Sequence, residues 1–464
     1  MSEPVEPNGR PPLPRVSTGN AALDEILGGG FPANSINIVM GEPGSGKTIL
    51  AESVVFANAE GDRPILYITT LSEPVDKMVR YLQQFTFYDE RKLGTIVFYE
   101  SLGDEMATQG LEALVARIRE AVKTVHPKLV VVDSFKTIHE TSTTPQEMRR
   151  MLYDLAGLLT AYEITAFLVG EYNEEEMQRF PEFAVADGTV ELARRKLGSR
   201  DERFLRVLKL RGSSYREGLH GFRITQSGLA VYPRLAMPQG PLAPDLPGEL
   251  VATGVAGLDR MLGGGLRRGR ATFLLGPTGS GKTTLGLQFA LEGVRRGEKA
   301  LYLNLEENPV QLAAHIAGLG VDPRGAEQDG LELQYAAPVE LQIDSLVAGA
   351  FRAIHERKVR RVVIDGVGDL VVAAGDEQRL HEYLYALVQH FAAAGVTSIF
   401  TYETPIGGTG TALALSPLGD NVIQLGVDLG ERTRRSIRII KARATEHDLS
   451  LRELEITRKG VQIH

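Results

Sequence analysis

At 464 residues, 43% of them apolar and 24% charged, the chain is too long for one ordinary core and suits two domains of roughly 200 residues each. A formal net charge of −8 argues against nucleic-acid binding, which needs a basic face, and the absence of cysteine excludes disulfides and thiol-ligated metals. No run of about 18 apolar residues exists to span a membrane, so a soluble, cytoplasmic protein is expected.

In chain order, the opening "MSEPVEPNGRPPLP" lacks a basic segment followed by an apolar core and reads as a flexible Pro-rich tail over 1–15. From Val16 the sequence runs "VSTGNAALDEILGGGFPANSINIVMGEPGSGKT", and from Val251 it runs "VATGVAGLDRMLGGGLRRGRATFLLGPTGSGKT", an ungapped repeat at an offset of 235. Later landmarks recur at an offset of 232: "LVVVDS" answers "RVVIDG", and "LKLRG" answers "IKARA". A domain is therefore duplicated, over 16–234 and 249–464, with the Pro- and Gly-rich stretch 235–248 as linker.

Each copy alternates short apolar runs with helical patterns. "INIVM", "PILYIT", "LVVVD" and "TAFLVG" in the first and "ATFLL", "ALYLNL", "RVVID" and "TSIFTY" in the second are continuous, which implies burial on both faces. The expected fold is α/β: two tandem P-loop domains, each a mostly parallel central sheet with helices on both faces. Alternating segments such as "RFLRVLKLR" and "RRSIRIIKAR" then add antiparallel strands toward each C-terminal end.

Between the first strand and the first helix of each copy stands G-x-x-x-x-G-K-T: Gly41, Glu42, Pro43, Gly44, Ser45, Gly46, Lys47 and Thr48, then Gly276, Pro277, Thr278, Gly279, Ser280, Gly281, Lys282 and Thr283. Glycines let successive N–H groups converge on phosphate oxygens, Lys47 or Lys282 reaches the β and γ phosphates, and Thr48 or Thr283 offers a hydroxyl to Mg2+. ATP and Mg2+ are the expected ligands. Asp133 and Asp365 end apolar strands where a carboxylate serving the magnesium belongs, although an acid that caps a strand would look the same.

The copies part after the second strand, where "LYLNLEENP" carries Glu306 and Glu307 and "LYITTLSEP" carries Leu71 and Ser72, with Glu73 alone remaining. A glutamate there can orient or deprotonate water in line with a γ-phosphate. The bland reading is a helix start, with Asn308 as N-cap and Pro309 at the first helical position. Glu73 reads either as a helix cap or as a carboxylate reaching the site by a local shift of register.

The tandem P-loops, the "TG…LD…GGG" openings, "EE…P" and the late "KxR" together resemble the KaiC family of RecA-like ATPases over about 16–464. That resemblance implies a homo-hexamer of double-domain subunits with ATP between neighbours, clock or signalling partner proteins, and catalysis by Glu306 and Glu307. It also implies that Lys209 and Arg211, or Lys441 and Arg443, reach the adjoining subunit's γ-phosphate; from the residues alone they read as a solvated strand face. Clock members of the family autophosphorylate a Ser–Thr pair late in the second domain. In "TALALSPLGDNV" Ser416 matches the serine, Pro417 replaces the threonine and Thr411 matches a further threonine upstream, so a Ser/Thr autokinase is the alternative to an ATPase whose second domain hydrolyses and whose first holds the ring. A non-enzymatic, ATP-gated platform is the further alternative. The chain ends at His464 soon after its last strand, so the family's C-terminal regulatory tail is expected to be missing.

Overall fold

The computed structural model describes residues 13–70, 75–103, 111–142, 144–197, 200–238, 249–337, 341–375, 377–406, 417–430, 432–443 and 445–464. The chain divides between Arg234 and Leu235 into two compact units. Leu235 packs on the second unit's core and the Ala236 carbonyl accepts a hydrogen bond from His390 Nε2 at 2.7 Å, so this part of the inter-repeat stretch lies on the second unit.

The first unit holds nine strands in one sheet: β1 (Ile36–Gly41), β2 (Ile65–Thr69), β3 (Val97–Ser101), β4 (Leu129–Asp133), β5 (Thr165–Gly170), β6 (Gly188–Leu197), β7 (Arg200–Leu210), β8 (His220–Thr225) and β9 (Gly228–Tyr232). The second unit repeats them as β10 (Ala271–Gly276), β11 (Ala300–Asn304), β12 (Leu331–Tyr335), β13 (Arg361–Asp365), β14 (Thr397–Glu403), β15 (Asn421–Leu429), β16 (Thr433–Ala442), β17 (Arg452–Thr457) and β18 (Gly460–Ile463). The spatial orders, β3-β2-β4-β5-β1-β6-β7-β8-β9 and β12-β11-β13-β14-β10-β15-β16-β17-β18, are the same topology. Neighbours from β3 to β6 and from β12 to β15 pair in parallel, and the remaining strands add on antiparallel.

The α/β expectation is borne out, and the continuous apolar runs are the central parallel strands, fully buried as at Ile36–Gly41 and Ala271–Gly276. The edge strands β3 and β12 escaped the sequence pattern because an edge is covered on one side only: only Val97 and Leu331 in them are fully buried. Each P-loop strand leads into a helix, α1 (Lys47–Asn58) or α2 (Lys282–Arg295), whose N-cap glycine, Gly46 at φ 107° or Gly281 at φ 103°, takes the left-handed conformation that a side chain would strain.

A register break recurs at matched places. Between Thr189 and Val190 the β6 partners step from Lys209 to Val207, leaving Leu208 unpaired, and between Val422 and Ile423 the β15 partners step from Lys441 to Ile439, leaving Ile440 unpaired. Leu205 and Val207 face the core beneath α1; past the bulge it is Leu210 that does so, and Lys209 turns to the other face.

One buried polar pair of the first core has apolar residues at its place in the second. Glu52, on α1 with no exposed surface, accepts from the Tyr99 hydroxyl at 2.7 Å, where the second copy has Leu287 and Leu333. Burial pushes Glu52 up to about 8 from an ordinary 4.5, so folding holds a proton there and the first unit is destabilised progressively as pH rises from about 4.5 to about 8. Replacing both residues by the second copy's leucines is expected to stabilise the first unit by up to about 3 kcal/mol at neutral pH, the linkage cost of holding that proton, and to flatten its pH dependence over that window. Denaturant titrations across pH check this, and a less stable double variant at pH 8 would refute it.

Candidate functional site

In the first unit a cavity of about 390 Å3 opens above α1, lined among others by Gly44, Gly46, Lys47, Thr48, Asp133 and Glu171. Lys47 Nζ folds back to the Glu42 carbonyl at 2.9 Å and lies 3.8 Å from Glu171 Oε1, while burial lowers its pKa. Thr48 Oγ1 donates to Asp133 Oδ2 at 2.8 Å and the Tyr67 hydroxyl donates to the same oxygen at 2.9 Å. Burial raises the Asp133 pKa, against the pull of those hydroxyls and of Lys47.

The second unit repeats the frame. Lys282 Nζ donates to the carbonyls of Gly276 at 2.9 Å and Pro277 at 3.0 Å. Asp365, with no exposed surface, accepts from Tyr302 at 2.7 Å and from Thr401 Oγ1 at 2.5 Å. Arg435 Nε donates to the Gly279 carbonyl at 2.8 Å, a contact to the P-loop backbone that no motif announces.

Glu306 and Glu307 follow β11, which pairs Asn304 with Asp365 in register. The Glu306 carboxyl is open on one face, yet lost hydration first, then Asp365, Asp369 and Glu403, against Lys282, push it up to about 7. Glu307 Oε1 lies 3.5 Å from His315 Nδ1, whose Nε2 is 3.1 Å from Thr284 Oγ1. The bland reading also holds: Asn308 caps the helix Pro309–Gly318 in a capping box with Gln311. Helix start and carboxylate placement are thus compatible. Leu71, Ser72 and Glu73 lie outside the described residues, as do Ser416 and Thr411.

The basic pairs sit elsewhere. Lys209 pairs in register with Thr189, which pairs with Ile38 near the start of β1, whereas the P-loop leaves the other end of β1 at Gly41. About three residues of strand, roughly 10 Å, separate those levels. Arg211 is held there by Asp187 at 3.3 Å, and Asp187 also accepts from the Ile36 N–H at 3.1 Å. In the second unit Lys441 Nζ donates to the Gly419 carbonyl at 2.8 Å, and the Arg443 N–H to the Asp420 carbonyl at 3.1 Å; Asp420 in turn accepts from the Ala271 N–H at 3.2 Å. Both pairs lie toward the opposite end of the strands from their own P-loop.

Sequence reading missed Glu171 and Glu403, which follow β5 and end β14 next to the P-loop strands and act electrostatically on Lys47 and Lys282. Their signal was an acid closing an apolar run in both copies at the offset of 232. For Mg2+ the donor set fits: hydroxyl and carboxylate oxygens meet at 2.8 Å between Thr48 and Asp133, and Thr283 and Asp365 hold the matching positions. Among the described residues no three acidic or histidine side chains gather into a metal cluster, so the ion would rely on phosphate and water oxygens, as Mg2+ commonly does.

Compared with known proteins, the chain matches the family described as "ATPase: KaiC" over residues 16–236 and 251–464. It belongs to the KaiC family of ATPases. The circadian clock oscillator protein KaiC of a Picosynechococcus species is 29% identical to it over 97% of this chain and 89% of its own. The circadian clock oscillator protein KaiC 1 of a Synechocystis species is 29% identical over 99% and 92%, and the circadian clock protein KaiC3 of the same organism 27% identical over 97% and 92%. Family membership makes this chain an ATP-binding P-loop protein with tandem RecA-like domains. Among the described residues no helix is long and apolar enough to cross a membrane.

If Glu306 must be ionised to accept a proton, turnover rises as pH passes through about 7, and Glu306→Gln removes that limb of the profile. Steady-state phosphate release from pH 5.5 to 9 measures it; a profile still rising near 7 in the variant would assign the limb to another group.

Proposed function

We propose that the protein is a Mg-ATP-dependent ATPase acting as a hexameric ring of double-domain subunits, with hydrolysis mainly in the second domain and ATP in the first supporting assembly. The observation that carries this is unequal equipment on equal frames: both units keep the P-loop lysine, the threonine and the strand-end aspartate, but only the second has Glu306 and Glu307 after its second strand. Glu306 or Glu307 accepts the proton of a water attacking the γ-phosphorus, the bond to the bridging oxygen breaks, and Lys282 neutralises charge on the phosphates. Mg2+, when bound at Thr283 and Asp365, supplies further charge neutralisation.

The position of Lys441–Arg443 at the far end of the strands supports a ring, because cations about 10 Å of strand away from their own P-loop serve a γ-phosphate only on a neighbour. The same holds for Lys209–Arg211. The names of the relatives place those proteins in circadian clocks, and a clock or signalling protein that senses nucleotide state is the corresponding partner class here.

Glu306→Gln plus Glu307→Gln in one chain, and Lys441→Ala plus Arg443→Ala in another, should each lose about a thousandfold in turnover. Co-assembled from dissociated subunits, the two inactive chains should regain activity, since some interfaces then combine intact glutamates with intact cations. A mixture as inactive as its parts argues against cations acting in trans, and light scattering with ATP reads the ring size. Intact-mass analysis after incubation with ATP separates this reading from the autokinase at Ser416 or Thr411.

A further inference from the structure

We propose that Asn304 is the positioning residue for the Glu306–Glu307 pair, with Gly366 leaving the room in which Glu306 lies; this rests on the reading that these glutamates serve hydrolysis. Asn304 ends β11 with no exposed surface, in register with Asp365 on one side and Tyr335 on the other. Its Oδ1 accepts the N–H of Glu306 and the N–H of Glu307, each at 3.1 Å, and its Nδ2 donates to the Glu307 carbonyl. One side chain thus satisfies three backbone groups of the turn that leaves the sheet, the local bonding for which asparagine is suited in turns.

Directly after Glu307, Asn308 caps the next helix, so the glutamates lie between two pinned points. The Glu306 side chain then crosses Gly366: a Cβ there would stand 2.7 Å from Glu306 Cγ and 3.2 Å from its Oε1, and the glycine holds φ 92°. Fixing the turn sets the direction of Glu306, and the bare glycine sets how closely it approaches the aspartate strand.

The first copy has other residues at both places. Thr69 occupies the register of Asn304, paired with Asp133 as Asn304 is with Asp365, and Ser134 follows Asp133 where Gly366 follows Asp365. A threonine hydroxyl offers its donor and its acceptor sites on one atom attached directly to Cβ, so it lacks the two separate atoms with which Asn304 accepts at Oδ1 and donates from Nδ2. The copy in which Leu71 and Ser72 stand at the places of the glutamates has Thr69 where the second has Asn304 and Ser134 where it has Gly366.

The full chain tests this with ATP as substrate and ADP as binding probe. Asn304→Ala should lower kcat about a hundredfold, the order of loss for a catalytic group displaced by about 1 Å, while KM and ADP affinity stay at the parent values. Asn304→Ser, whose hydroxyl can still accept an N–H, should recover part of that loss, and Gly366→Ser should behave like Asn304→Ala. Asn304→Ala combined with Glu306→Gln should fall no lower than Glu306→Gln alone, because the two changes act through one group. A kcat loss that adds to that of Glu306→Gln, or one accompanied by weaker ADP binding with no rescue by serine, would make Asn304 merely structural and overturn the proposal. If Glu306→Gln is inactive while Asn304→Ala and Gly366→Ser turn over normally, only this inference fails; if Glu306→Gln plus Glu307→Gln turns over normally, the underlying reading fails and this one with it. Should Asn304→Ala not fold, the serine variant and Gly366→Ser carry the comparison.

Discussion

Asp365 ends β13 in the middle of a parallel sheet with no exposed surface, and the hydroxyls of Tyr302 and Thr401 that donate to its two oxygens make that burial tolerable. Asp133 solves the same problem with Tyr67 and Thr48. A carboxylate so placed, beneath a lysine and beside a threonine hydroxyl, is stabilised further when cationic charge arrives above it. The P-loop, the strand order that sets β11 next to β13, and the turn carrying Glu306 are all built around that buried acid.

Around this shared frame the copies have diverged in chemistry while keeping topology. The second has gained an amide clamp, a bare glycine and two carboxylates; the first has a buried Glu52–Tyr99 pair where the second has leucines. The differences just named lie near the phosphate site, whereas at the far end of the aspartate strand the second unit buries Arg361 against Glu298 where the first has Leu129. The outer antiparallel strands keep even their bulges in step.

Much of this was legible in the sequence because it rests on local rules. A glycine-rich loop between an apolar strand and a helix has few other meanings, and continuous apolar runs report burial on both faces. Illegible were features created by strand pairing. Asn304 reads as an ordinary polar residue until the turn folds over it, Glu171 becomes part of a site only because β5 lies beside β1, and the placement of Lys209 toward the far end of the strands needs the whole register. The edge strands β3 and β12 were missed because half-covered strands do not produce an apolar run.

The bulges at Leu208 and Ile440 settle a question of parity. In an unbroken strand Lys209 would share a face with Leu205 and Val207, pointing its ammonium into the hydrocarbon beneath α1, and Arg211 would follow it. One residue without a partner reverses odd and even from that point on, so Leu210 fills the core and the cations leave it. What keeps this pair out of the hydrocarbon is therefore a count: a one-residue deletion there would bury two charges without altering either basic side chain.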